Sequence, residues 1–450
     1  MTGLRISDYA MFVPVRDHAI VLALNTCYGT VVELSEETYR RLGEPAGLPA
    51  DVLSALADGW IVTALSPETE RDAFARELHR RGRAALDAPP RVYLMPSYDC
   101  NLKCVYCFQH GIRRTTPSVT MSESVALAAL DHAVAVLGDH PREVTLYGGE
   151  ALSPDNRAVV EFLCRAARER GIRLMASTHA WNLDRYEDLL GPAGIEAIHV
   201  TVDGPAATHD RLRVGPRGAR TYETIMRHIG LALGRGTRVR MRVNVNHRVL
   251  EELGTLRDEL AAGGLLGNPL FSAYLAPMFD TKAHVDAGNT VLSRSLVGEA
   301  ALAARLGGST ELATAFCGYP PTYDRVAAAL AAMPPLPAVG NCCYGTPTVV
   351  LDPRGDVYPC VFLAGETRFA AGSYLGGGSA PERSSGWVGE GTGRCGETGC
   401  KFALYCGGGS PYDSFARQGS TQPRSCDCGD FKDTFAGYAA AAYRRRVAAD

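Results

Sequence analysis

The residues best suited to chemistry lie in Cys100-Asn-Leu-Lys-Cys104-Val-Tyr-Cys107, three thiols at C-x3-C-x2-C spacing just after the apolar run 91–96. Thiolates hold iron–sulfur clusters, and a [4Fe–4S] cube normally takes four of them. Three thiolates in one tight loop would leave one iron open to a substrate. The spacing differs from the ferredoxin run C-x2-C-x2-C-x3-C, so plain electron transfer is a poorer fit. Zinc is the competing use, but a structural zinc site wants four closed ligands, typically two C-x2–4-C pairs. A second set lies downstream: Cys317, Cys342, Cys343, Cys360, Cys395, Cys400, Cys406, Cys426 and Cys428. Fourteen cysteines in a chain with no secretory signal read as metal ligands rather than disulfides. Cys27 and Cys164 stand apart and read as core, Cys164 on a helical face with Val160, Leu163 and Ala167.

Other polar residues gain meaning from the predicted strand ends they occupy. Gly148-Gly149-Glu150 directly follows a predicted strand over 143–147. Glycines let backbone approach a ligand closely, and a carboxylate supplies acceptors for an ammonium group. The strand 172–177 runs into the hydroxyls of Ser177 and Thr178 and into His179, which reads as a rim residue rather than a substrate contact. After the strand 197–202 come Asp203, His209, Asp210 and Arg213. A guanidinium fork there could hold a carboxylate, and a charge cluster ordering a surface loop is the plainer use. Asn244 ends the strand 238–245 as a further polar candidate.

These residues must be positioned by the run from 91 to about 280, where six predicted strands (92–95, 143–147, 172–177, 197–202, 238–245, 271–276) alternate with helices. That alternation is the pattern of βα units on a parallel sheet. Thr120-Met-Ser-Glu123 reads as a capping box for a helix ending at Gly138. Further helices are expected from Ser153 to Gly171, over 221–234 and over 251–262. Residues 1–65 read as a small α/β module, with strands at 11–15, 19–23 and 30–34, a helix over 35–42 capped by Ser35, and another over 50–58. A charged helix from Ser66 reads as a linker. Residues 327–337 read as a helix ending in a rigid connector, 347–360 as a hairpin turning at Asp352-Pro-Arg-Gly355, and 372–393 as a mobile loop. At 450 residues the chain exceeds a single ordinary core, so two or three domains are expected. A net charge of −3, from 46 basic against 49 acidic residues, gives no support for nucleic-acid or membrane-surface binding. Without a signal-peptide core or a span-length apolar run, the expected location is cytoplasmic.

The Cys100–Cys107 motif, with Tyr106 before its third Cys, resembles the signature of the radical S-adenosylmethionine (SAM) superfamily. Gly148–Glu150 and the Asp203 to Arg213 segment extend the resemblance, which covers about 90–430. It implies an α/β chain: a partial (β/α)6 TIM-like barrel over 91–310, an N-terminal winged-helix-like module over 1–65, a helical linker over 66–90, and a C-terminal Cys-rich SPASM domain over 311–450. It implies a [4Fe–4S] cluster on Cys100, Cys104 and Cys107 whose open iron is chelated by SAM, and reductive cleavage to a 5′-deoxyadenosyl radical. The implied cofactor contacts are Tyr106, Phe108, Gly148, Gly149, Glu150, Ser177, Thr178, Asp203, Arg213 and Asn244, with Glu150 at the SAM amino group, Arg213 at its carboxylate and the Ser177 and Thr178 hydroxyls at its ribose. Thr178-His179-Ala180 stands where the family resembles itself in Thr-Asn-Gly.

Downstream, Cys343-x11-Gly355-x4-Cys360, Cys395-x4-Cys400-x5-Cys406 and Cys426-x-Cys428 resemble the SPASM extension, which implies two auxiliary [4Fe–4S] clusters on the nine C-terminal cysteines. The x4 gap is wider than the usual x2, and Ser410 stands where a Cys is usual. Cys317, Cys342, Cys343, Cys426 or Cys428 could replace that ligand, or one cluster keeps an open iron. The implied activity is maturation of a ribosomal precursor peptide, its leader bound by strand addition to the N-terminal module. Hydrogen abstraction would lead to a carbon–carbon, ether or thioether cross-link by net two-electron oxidation, with an external donor such as flavodoxin or ferredoxin. Three alternatives compete. A sulfatase-maturase-like enzyme making formylglycine shows an Asp after the relevant Cys, whereas Val361-Phe362 follow Cys360. A peptide epimerase needs a thiol to return a hydrogen atom. A non-enzymatic iron–sulfur carrier has no use for Gly148–Glu150.

Overall fold

The computed structural model describes residues 4–44, 47–86, 88–109, 118–279, 295–331, 333, 347–376, 398–406, 409–420 and 430–449. At the N-terminus, β-branched and apolar runs separated by turns form strands. These are β1 (Arg5–Ile6), β2 (Ala10–Val15), β3 (Ile20–Asn25) and β4 (Thr30–Ser35), followed by α1 (Glu36–Arg40), α2 (Ala50–Asp58) and β5 (Val62–Thr63). β2, β3 and β4 make an antiparallel meander, and β1 pairs with β5. Ser35 caps α1 by accepting from Thr38 N at 3.1 Å, as its type and position predict. Both faces of the meander are covered. Ala10, Ala23 and Leu34 pack with Leu42, Leu53 and Leu56, while Met11, Val13, Leu22 and Leu24 join the main core with Phe74 and Leu78 of α3 (Pro67–Leu86). α3 is thus a packed wall rather than only a linker. Its buried Glu70 accepts from Ser7 Oγ at 2.5 Å and Arg5 Nη2 at 2.6 Å.

The six expected strands stand side by side in sequence order and all run parallel: β6 (Arg91–Leu94), β8 (Glu143–Leu146), β9 (Arg173–Thr178), β10 (Ile195–Thr201), β12 (Arg238–Val245) and β13 (Phe271–Pro277). Between them, β7 (Lys103–Cys104) and β11 (Arg213–Val214) form a separate two-stranded ladder. Val92, Leu94, Val144, Leu146, Leu174, Val239 and Met241 are buried in one core with residues of α4 (Glu123–Leu137), α5 (Arg157–Glu169) and α7 (Tyr222–Gly234). Alternate positions carry Tyr93, Thr145, Ser177, His199, Arg242 and Asn244, which line a cavity instead. A parallel strand covered on both faces reads as a continuous apolar run, so this alternation marks a lumen. α6 (Ala206–Leu212) follows β10.

Ser122, not Thr120, caps α4, accepting from Val125 N at 3.3 Å, while Thr120 bridges to Ser97. The helix expected over 251–262 is two: α8 (His247–Glu251), capped by Asn246, and α9 (Leu253–Ala262). After α10 (Glu299–Gly307) and α11 (Thr310–Ala315), α12 spans Pro320–Leu330 and so begins ahead of the expected 327. β14 (Thr348–Leu351) and β15 (Asp356–Tyr358) form the expected hairpin, and Asp352 Oδ1 accepts from Arg354 N and Asp356 N in its turn. The sequence carried no sign that β14 would lie parallel to β6, with Val349 opposite Val92. The barrel sheet therefore continues through β14, β15 and β16 (Gly372–Ser373). Tyr98 donates to Asp352 Oδ2 at 2.9 Å in the interior, tying the hairpin to the start of the Cys loop.

α13 (Ala403–Cys406) and α14 (Pro411–Gln418) precede α15 (Phe431–Val447), which packs so closely on α10 that neither Gly307 nor Gly437 has room for a Cβ. From α15, Arg444 reaches Asp17 at 2.5 Å and Arg446 reaches Glu33 at 2.6 Å, joining the C-terminal helix to the meander. Cys342, Cys343, Cys395, Cys426 and Cys428, and most of the loop expected over 372–393, lie outside the described residues. No described helix is long and apolar enough to cross a membrane.

Candidate active site

The Cys loop is pinned at the C-terminal ends of the parallel strands, where barrel sites form. Glu150 N donates to Asp99 O at 2.7 Å, Cys107 N donates to Cys104 O at 3.2 Å, and Cys104 pairs with Arg213 in the β7–β11 ladder. The two glycines permit the crossing. Gly148 has φ +133, and a Cβ at Gly148 or Gly149 would strike the carbonyl oxygens of Ser97 or of Tyr98 and Asp99. Cys104 is buried, whereas Cys100 and Cys107 are partly exposed. All three line one cavity of about 230 Å³ together with Tyr106, Phe108, Gly148, Gly149, Glu150, Ser177, Thr178, Arg213 and Asn244.

On one side of the cavity Glu150, 1% exposed, is held by Leu152 N at 2.9 Å, Thr178 Oγ1 at 2.5 Å and His179 N at 2.8 Å. Burial pushes its pKa up, against these donors and Arg213. Thr178, expected at a ribose, spends its hydroxyl on Glu150 and thereby orients it. His179 is not a rim residue: it is buried, and its Nε2 lies 2.8 Å from Asn101 Oδ1 inside the Cys loop.

On the other side Tyr106 Oη donates to Asp203 and accepts from Arg213 Nη1 at 2.6 Å and Asn244 Nδ2 at 3.1 Å. Asp203 is fully buried behind Tyr106, with its second oxygen taking Asn244 N at 2.8 Å, so it supports the wall and does not line it. Burial opposes the Arg213 cation, but Cys104, Tyr106 and Asp203 outweigh burial and raise its pKa. His209, read at first as part of a charge cluster, accepts from Asp203 N and reaches Thr221 Oγ1. Burial, with Arg213, lowers its pKa to about 3.

The lumen below adds Tyr93, Thr145, His199, Thr201, Arg242 and Tyr274, which sequence reasoning passed over. Their signal was a polar or aromatic residue recurring at alternate positions of otherwise largely apolar strands. Burial, then Arg240, Arg91 and Arg242, lowers the pKa of His199 to about 4. At the mouth, Val361 and Phe362 join the lining directly after buried Cys360. The Phe362 ring meets Phe108 at 4.6 Å and Phe279 at 5.3 Å. Cys317 sits at the barrel edge, its backbone bridged to β13. Cys400 follows Gly399, which packs on Arg71, and Lys401 Nζ donates to Ala10 O, so this segment faces the meander. Cys406 ends α13. Cys27 and Cys164 are core residues, as expected, and burial raises their pKa values to about 12 and about 11.

The side chains fit the cofactor pair that the sequence implies. Three thiols share one loop on the cavity, the Glu150 carboxylate offers acceptors, and among the described residues the buried donor Arg213 Nε has no partner. Gln109 Nε2, which lines the same cavity, is a second buried donor without a partner among the described residues. Among the described residues, no three His, Cys, Asp or Glu side chains converge as ligands of a single ion. Thiols that grip separate corners of a cluster stand further apart than ligands of one zinc.

Residues 94–258 match the model of the Radical SAM superfamily. The Fe-coproporphyrin III synthase of Methanosarcina barkeri is 28% identical over 176 residues, covering 39% of this chain and 41% of that protein. The GTP 3′,8-cyclase of Psychromonas ingrahamii is 27% identical over 173 residues, covering 38% and 48%. The match thus spans less than half the length of these two relatives. A solved structure of native anSMEcpe with bound AdoMet and Cp18Cys peptide superposes with a TM-score of 0.60 at 15% identity, covering 80% of this chain and 99% of that one. At that identity the likeness speaks for the fold.

Proposed function

We propose that the chain is a radical SAM peptide maturase that installs a cross-link in a ribosomally made precursor peptide by net two-electron oxidation. The observation that carries this reading is that Cys100, Cys104, Cys107, Glu150 and Arg213 open onto one cavity at the strand ends. Cys100, Cys104 and Cys107 would hold a [4Fe–4S] cluster, Glu150 would receive the SAM amino group, and Arg213 Nε the SAM carboxylate. Together that pair supplies hydrogen-atom abstraction from an unactivated carbon.

The protein's part is placement. Thr178 and His179 aim the Glu150 carboxylate, Tyr106 and Asp203 aim the Arg213 guanidinium, and the lumen from Tyr93 to Tyr274 holds the reacting residue. Val361, Phe362 and Phe108 narrow the mouth and keep water from it. Cys360 lies beside that mouth, where an auxiliary cluster would take the electron left by bond formation; the remaining C-terminal cysteines would complete two such clusters. A peptide substrate agrees with the bound peptide in the anSMEcpe structure. The partners are a leader-bearing precursor peptide and an external one-electron donor, in the cytoplasm. The formylglycine alternative wants an acid directly after Cys360, and the apolar Val361 and Phe362 stand there.

The test is co-expression with a short precursor encoded beside the gene, followed by mass spectrometry of the peptide. Loss of two hydrogens is expected. An unchanged mass in H2O, with one deuterium gained at a Cα when the reaction is run in D2O, would replace this reading with epimerisation.

A further inference from the structure

One buried side chain on the cavity wall bridges two parts of the site: the imidazole of His179. The ring is 96% buried by residue, at 4% exposure. Trp181 N donates to its Nδ1 at 3.0 Å, so Nδ1 carries no proton and the neutral ring carries its proton on Nε2. That Nε2–H donates to Asn101 Oδ1 at 2.8 Å, and the same nitrogen stands 3.2 Å from Glu150 Oε2, near enough for its polar N–H to bear on that carboxylate. Asn101 lies inside the Cys loop, one residue after Cys100, and its own amide donates to Asn182 Oδ1 at 2.7 Å. A single imidazole therefore spans the Glu150 carboxylate and the loop that carries the three thiols.

The backbone is bent to make this possible. Ala180 has φ +61, a left-handed conformation that costs an Ala strain and that turns Trp181 N back onto the ring. The strained residue is held by Thr178 Oγ1, which accepts from Ala180 N at 2.9 Å, and by His228 Nδ1, which lies 2.8 Å from Ala180 O. Strain of this kind persists only where surrounding contacts over-determine it, and here they converge on one ring orientation.

We propose that His179 is a positioning residue that couples the Glu150 carboxylate to the cluster loop: its Nε2–H steadies Glu150 and, through Asn101, sets the stance of the loop between Cys100 and Cys104. This rests on the reading that Glu150 receives the amino group of SAM. The coupling runs both ways. An ammonium at Glu150 withdraws charge from Oε2, and the shared N–H then leans toward Asn101. Occupation of the SAM site is thereby felt at the thiolate loop through a path other than the cluster itself.

The test compares wild type with His179→Ala, His179→Gln and Asn101→Ala, each reconstituted anaerobically. Iron content, SAM affinity by equilibrium dialysis, and the EPR spectrum of the reduced cluster with and without SAM are read on each. His179→Ala should keep the wild-type iron content and weaken SAM about tenfold, the scale of one lost polar contact beside a buried charge. His179→Gln, whose amide can place an N–H near the Nε2 position, should recover most of that affinity. Asn101→Ala should keep SAM affinity within about threefold while diminishing the change that SAM induces in the EPR spectrum. His179→Ala binding SAM as wild type does, or His179→Gln binding no better than His179→Ala, would overturn the proposal while leaving the functional reading in place. If His179→Ala fails to load iron, the Gln and Asn101 variants decide the matter. Iron-loaded wild type that binds no SAM would overturn the functional reading itself, and this inference with it.

Discussion

Tyr106→Phe removes a single oxygen from the interior of the site, and its cost can be worked from the bonds it breaks. The hydroxyl donates to Asp203 and accepts from Arg213 Nη1 at 2.6 Å and Asn244 Nδ2 at 3.1 Å. All three partners are buried, at 0%, 7% and 7% exposure, so water does not replace the lost bond. A buried polar group left unsatisfied costs about 1–3 kcal/mol, which bounds the total at about 3–9 kcal/mol. Arg213 Nη1 and Asp203 Oδ2 are only 3.9 Å apart and can close on each other across the vacated space. That closure offsets much of the loss, leaving about 2–4 kcal/mol of destabilisation. It also draws the guanidinium toward Asp203 and away from the cavity, so SAM affinity should fall about tenfold. Urea unfolding measures the first quantity and equilibrium dialysis the second. A loss below about 0.5 kcal/mol with unchanged SAM affinity would show that the hydroxyl does not hold this wall together.

Gly149→Ala forces a Cβ against the carbonyl oxygens of Tyr98 and Asp99. Because both are backbone, the Cys loop must move, and iron uptake and SAM cleavage should fall by more than about a hundredfold, as displaced catalytic geometry does; wild-type iron content would contradict this. Burial raises Glu299 from 4.5 to about 7. The unfolded chain gives up that proton first, so wild-type stability should decline as pH rises between those values, by up to about 3 kcal/mol. Glu299→Gln should flatten that slope and raise the melting temperature above pH 7, which thermal unfolding across pH reads directly. Cys360→Ala should keep SAM cleavage without peptide while losing the mature product by mass spectrometry; full product formation would remove Cys360 from the electron path.

What the sequence made legible was local. Each barrel strand announced itself by a short apolar run with a helix signal or turn after it, and the Cys loop by its spacing. The strand over 348–351 could be found but not placed, because its parallel pairing with β6 joins residues more than 250 apart and leaves no local signal. The cap of α4 moved from Thr120 to Ser122 because both are capping types, and only the bridge from Thr120 to Ser97 decides between them. Asp203 was expected to touch the cofactor, yet it stands behind Tyr106, since a motif fixes the order of residues and not which one faces the cavity. His179 looked like a rim residue because nothing in its neighbours signals the left-handed Ala180 that turns it inward. The strands of residues 1–65 were legible, but not that Met11, Val13, Leu22 and Leu24 complete the main core. Deleting that module should therefore unfold the chain rather than only remove a leader-binding surface.

The most direct measurement compares wild type with the chain in which Cys100, Cys104 and Cys107 are all Ala, after anaerobic reconstitution. Iron is counted, and 5′-deoxyadenosine formed from SAM under reducing conditions is quantified. Wild type should hold about twelve irons in three four-iron clusters and cleave SAM. The triple variant should hold about eight irons and release no 5′-deoxyadenosine. SAM cleavage that persists in the triple variant would contradict the assignment of the Cys loop.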